Sequence, residues 1–136
     1  MFSSNMKSSL ESILKLLTNC QGEISGNKIQ NISVMSAQYE LDSFTKIIDV
    51  RRPEEFRGEL GHIKNSVLWT LQTDLEDNLD QLDSKGTYLF VCRSGGRSAK
   101  ACQVANMHGL KNVFNLEGGM LAWNEQSLPI NKKLAA

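Results

Sequence analysis

The chain has 136 residues, with 15 basic side chains balanced by 15 acidic ones for a formal net charge of +0. That balance excludes a whole-surface attraction to nucleic acid or to an anionic membrane, and the length suits one domain. Hydrophobic residues make up 40%, enough for a core, while no apolar stretch approaches the roughly 20 residues that span a bilayer. The opening "MFSSNMKSSLESILKLL" has no basic segment followed by a continuous apolar one, so it is a poor signal peptide and a cytoplasmic location is expected. The cysteines are Cys20, Cys92 and Cys102, and the histidines are His62 and His108. An odd cysteine count without metal-type spacing argues against a disulfide framework or a metal site.

In chain order, Ser8 to Asn19 has the pattern of an amphipathic helix. Ser8 and Glu11 have capping-box spacing, and Leu10, Ile13, Leu14 and Leu17 share one face. That face is expected to pack on the domain or on a second chain, the latter giving a homodimer. Cys20 to Asn31 is polar and reads as a linker, so residues 1–31 form an N-terminal helix and linker ahead of a domain over 32–131 and a tail over 132–136. Within the domain, "ISV" is a strand candidate and "SAQYELDSF" a helix. "TKIIDV" is a β-branched strand, and Pro53 in "RRPEEF" suits a first helical position. "NSVLWTL" holds a strand, "TDLEDNLDQL" a helix, and "TYLFVC" the most apolar strand. "RSAKACQVANMHG" is a helix stopped at Gly109, "NVFNL" a last strand and "GGMLAWNEQ" a last helix. Strands and helices that alternate in this way predict an α/β fold with a parallel sheet.

In such sheets ligands sit beyond the carboxyl ends of the strands, where Asp49 and Cys92 both fall. Arg93, Ser94, Gly95, Gly96, Arg97 and Ser98 follow Cys92. The glycines let this loop curl so that its amides point inward as an anion-holding nest, and the helix after it adds the positive end of its dipole. Two arginines add full charges. A free cysteine has a pKa of about 8.5, and such surroundings lower it to roughly 3.5–7.5. The loop is therefore expected to activate a nucleophile and to attract an anion. A buried, inert cysteine before an ordinary glycine turn is the plainer alternative, and the two arginines weigh against it.

Three stretches resemble the rhodanese family of sulfurtransferases. "CRSGGRS" is similar to its active-site loop, "IIDVRRPEEFRGELGHI" to its upstream signature, and "VFNLEGGMLAWNEQSLPI" to its C-terminal signature. The resemblance covers about 32–130. It implies a five-stranded parallel sheet with helices on both faces. It also implies sulfur transfer through a persulfide on Cys92, from a small anionic donor such as thiosulfate to a thiol, a protein or cyanide. Arg93 and Arg97 would hold the donor's sulfonate, and neither a metal nor an organic cofactor is implied. Four residues separate Cys92 from Arg97. Phosphatases and arsenate reductases of similar fold carry a loop one residue longer, which disfavours that activity here. A non-enzymatic module that docks an anionic partner group is the alternative function.

The remaining candidates have plainer readings. Asp49 is expected to accept hydrogen bonds at a strand end, and Arg51 to pair with a carboxylate, although both types of residue could be catalytic. His62 reads as a packed histidine and Cys102 as a small core-facing residue. Trp69 stands where the family usually has a different sequence, and is expected at the pocket rim.

Overall fold

The computed structural model describes residues 29–132, and the apolar runs of that span become five strands. They are β1 (Gln30–Ile32), β2 (Lys46–Asp49), β3 (Ser66–Leu68), β4 (Thr87–Val91) and β5 (Asn112–Leu116). All pair in parallel, in the order β1-β5-β4-β2-β3. The helices α1 (Val34–Tyr39), α2 (Pro53–Phe56), α3 (Leu75–Leu79) and α4 (Gly96–Met107) lie between them and α5 (Gly119–Glu125) follows β5, with a 3-10 turn at Leu41–Ser43.

The period-two alternation of the strands sorts the core into two layers. Ile32, Ile47, Leu89, Val91, Phe114 and Leu116 face one side, where they pack with Val34 and Ala37 of α1 and Met120 and Trp123 of α5. Ile48, Tyr88, Phe90 and Val113 face the other, against Leu75 and Leu79 of α3 and Ala101, Cys102 and Ala105 of α4. The sheet is thus covered on both faces, as a parallel sheet requires. The C-terminal segment returns to the stretch after α2, where His62 and Asn131 exchange two backbone hydrogen bonds of 2.8 Å.

Local chemistry shifts several boundaries from the expected ones. β1 starts at Gln30, inside the segment read as linker, because Ser33 ends the strand and caps α1 by accepting the Ser36 N–H at 3.2 Å. The helix expected through Phe44 divides, since the N–H groups of Ser43 and Phe44 return to carbonyls three residues back. The same tightening ends α3 at Leu79, where Gln81 and Leu82 bond to Asn78 and Leu79. Leu82 still packs on the core. Pro53 occupies the first turn of α2. The expected helix over Ser8–Asn19, and with it the homodimer contact, lies outside the described residues.

Candidate active site

β2 and β4 are neighbours, with Asp49 opposite Val91, so the chain segments that leave these strands emerge side by side. Cys92 follows β4 directly and is 1% exposed. The chain then turns through Gly95, at φ +107, and enters α4 at Gly96. A left-handed turn there suits only glycine at low cost. The turn sends the Gly95 N–H back to the Cys92 Sγ at 3.1 Å. The first turn of α4 brings the Ser98 hydroxyl to the same sulfur at 3.3 Å.

These donors set the sulfur's protonation. Burial pushes the thiol up, but the Ser98 hydroxyl and the amides of Ser98, Gly95 and Ser94 outweigh it, and the pKa falls below its ordinary value. Cys102 differs. It is fully buried on α4, and burial, reinforced by Cys92, pushes its thiol far up. The loop donors favour the Cys92 thiolate, whereas burial governs Cys102.

Beneath the loop, β5 delivers Gly118 and Gly119, both at positive φ. A Cβ on Gly119 would lie 2.5 Å from the carbonyl oxygens of Cys92 and Arg93. That close approach lets the first amides of α5 grip the loop: Met120 N–H donates to the Cys92 carbonyl at 2.9 Å and Leu121 N–H to that of Arg93 at 3.0 Å. In the sequence this Gly-Gly pair is legible only as a family signature and a helix start; its place as the seat of the loop depends on the neighbouring backbone.

The two loop arginines have different surroundings. Arg97 forms a fork with Glu55 of α2, each of two nitrogens 2.8 Å from a carboxylate oxygen. Its charge is therefore shared with a carboxylate from outside the loop. Arg93 and Ser94 are exposed, and Arg93 makes no ion pair among the described residues. Two clefts flank the loop. One of about 420 Å³ is walled by Val50, Arg52, Glu54, Glu55, Thr70, Leu71, Gln72 and Arg97. The other, of about 320 Å³, is walled by Arg51, Glu54, Glu55, Gly58, Glu59, Leu60 and Arg93. Trp69 lines neither; it packs on the core, with Lys46 Nζ 5.8 Å from its ring centre.

Asp49 and Arg51 are both almost fully buried and form a two-pronged pair, Nε to Oδ1 at 2.9 Å and Nη2 to Oδ2 at 2.8 Å. Arg51 also donates to the Gly61 carbonyl at 2.8 Å. His62 stacks on Phe56 with ring centres 3.7 Å apart, and its Nδ1 lies 2.8 Å from the Phe56 carbonyl oxygen. These residues brace the α2 side of the site. No cluster of metal-ligating side chains occurs among the described residues.

A strand-end cysteine in an amide-lined loop suits covalent transfer of a small group. The model of the rhodanese-like domain matches residues 33–126. The chain belongs to the rhodanese family. Among relatives described as sulfurtransferases, YtwF of Bacillus subtilis is 36% identical over 106 residues that cover 76% of this chain and 99% of that protein. Thiosulfate sulfurtransferase GlpE of Vibrio cholerae is 30% identical over 101 residues, covering 74% and 92%. Among solved rhodanese structures, a rhodanese-related protein from Thermoplasma volcanium superposes with a TM-score of 0.68 at 27% identity, covering 76% of this chain and 98% of that one. The rhodanese fold thus accounts for the five-stranded sheet and both helical layers. No helix among the described residues is long and apolar enough to cross a membrane.

Proposed function

We propose that this protein is a sulfurtransferase that carries a sulfane sulfur as a persulfide on Cys92. The observation that supports this most is the convergence of the Gly95 amide and the Ser98 hydroxyl on one buried sulfur at the head of a Cys-x4-Arg loop. The Cys92 thiolate attacks the outer sulfur of a donor such as thiosulfate. The donor's S–S bond breaks, and sulfite leaves with the electron pair. The outer sulfur of the persulfide bears the negative charge, which the loop amides and the start of α4 stabilise. An acceptor nucleophile, a thiol or cyanide, then takes that sulfur and Cys92 leaves as thiolate. Arg93, on the exposed side of the loop, attracts the donor's sulfonate, and Arg97 adds a charge moderated by Glu55. The two steps need neither a metal nor an organic cofactor.

Incubation of the reduced protein with thiosulfate is expected to add the mass of one sulfur atom, located on the Cys92 peptide, and cyanide is expected to remove it as thiocyanate. Cys92→Ser should abolish both events. A wild-type protein that takes no sulfur from thiosulfate or from a protein persulfide would exclude this reading.

A further inference from the structure

Ser98 has one hydroxyl proton and two acceptors. Its oxygen lies 3.3 Å from the Cys92 Sγ and 2.5 Å from the Oδ1 of Asn115. Asn115 sits on β5, buried at 5% exposure, on the same face of the strand as Val113 and in contact with Ser98 of α4. Its amide is held from behind. The Asn115 Nδ2 donates to the Oδ1 of Asn31 on β1 at 3.0 Å, a pairing fixed by the register that places Asn31 opposite Asn115. With Nδ2 committed to Asn31, the Asn115 oxygen is the atom that faces Ser98.

We propose that Asn115 is a positioning residue that directs the single proton of Ser98, and through it the hydrogen bonding of the Cys92 sulfur. Asn115, at the shorter distance, competes with the sulfur for that proton. When Asn115 takes it, the Ser98 lone pairs face the sulfur, which suits a Cys92 thiol donating its own S–H. A thiolate needs the reverse, with the Ser98 O–H aimed at the sulfur. That reversal leaves two oxygens in close contact with no proton between them unless the Asn115 amide turns over. Asn31 opposes the turn. The chain Asn31–Asn115–Ser98–Cys92 therefore withholds from the sulfur part of the stabilisation that a fully donated Ser98 proton would add to that of the loop amides.

This inference rests on Cys92 being the reactive group of the proposed sulfur transfer, yet its test reads ionisation and not turnover, so each can fail without the other. Asn115→Leu keeps the side-chain size and removes the competing acceptor, so the Ser98 proton is left to the sulfur. A hydrogen bond to a charged group is commonly strong enough to move a pKa by about one unit, so the apparent pKa of Cys92 is expected to fall by about that much. The readout is the pH dependence of iodoacetamide alkylation, followed by mass spectrometry at the Cys92 peptide. The charged groups at this end of the sheet, Asp49, Arg51, Glu55, Arg93 and Arg97, are untouched by the substitution. In a Ser98→Ala background, Asn115→Leu should produce no further shift. If Asn115→Leu does not fold, Asn31→Leu, which releases the amide from behind, should lower the pKa in the same Ser98-dependent way. An unchanged or raised pKa in the folded variant would overturn the proposal, as would a fall that persists without Ser98. A merely structural Asn115 would lower stability and leave the titration in place.

Discussion

Glu55 shows how one side chain tunes the loop from another element. Its two hydrogen bonds from Arg97, set against the cost of burial, hold its pKa down from 4.5 to about 2. A carboxyl whose folded pKa lies below its unfolded one stabilises the fold above the unfolded value. That stability is fully present above about pH 4.5 and is lost as pH falls through about 2. Arg97 is 39% exposed and Glu55 27%, so solvent screening discounts the pair to about 1 kcal/mol. Glu55→Gln should therefore be less stable than the wild type in urea unfolding at pH 6, with the gap shrinking as pH drops from about 4.5 toward 2. A gap that stays constant over that range would show that the ion pair carries none of it. The partnership itself was not legible in the sequence. Forty-two positions separate the two residues, and only the packing of α2 beside the loop brings them together. Asn115 escaped notice for a related reason. A polar residue within "NVFNL" is ambiguous until the sheet register shows which neighbours it meets.

The elements were more legible than their contacts. Strands β2, β4 and β5 announce themselves as β-branched or apolar runs, and their order of alternation with helices predicts a parallel sheet without knowledge of any side-chain contact. The first strand, expected at "ISV", starts two residues earlier, because the three residues of Gln30–Ile32 are too few for a period to show and two are polar. The Gly-Gly turn before α5 gave a visible signal whose meaning depended on the neighbouring element. Gly119 combines φ +57 with loop carbonyls 2.5 Å from where a Cβ would stand. Gly109 has φ +92 but nothing within 4 Å of that position. Gly109→Ala should thus lose only the left-handed preference, about 1 kcal/mol. Gly119→Ala adds a backbone clash and should cost about 2 kcal/mol or more. Urea midpoints of the two variants test the difference. Gly119→Ala should also slow alkylation of Cys92 by loosening the amides around it, whereas Gly109→Ala should not.

Across the molecule, the two apolar layers supply most of the driving force, and the site sits on one edge of both. What ties that edge to the rest is the buried Asp49–Arg51 pair, which joins the end of β2 to the Gly61 carbonyl. Gly61 in turn adjoins His62, whose backbone pairs with Asn131 near the end of the described chain. Removing a charge from such a pair is harsher than removing both. Arg51→Met leaves the Asp49 carboxylate buried with its two strongest donors gone, a change that typically costs about 3–5 kcal/mol. Since domains of this size are stable by roughly 5–15 kcal/mol, the variant should unfold at much lower urea or fail to accumulate. The double variant Asp49→Leu/Arg51→Met replaces the pair with apolar groups and strands no charge, so it should recover a large part of that loss. Its thiol chemistry is the more informative readout. If the pair acts only as a brace, the double variant should alkylate Cys92 with the wild-type pH dependence once folded. If Asp49 instead takes part in the chemistry, sulfur uptake will collapse in the double variant even at full folding, and the pair will have to be counted among the groups that act on the substrate.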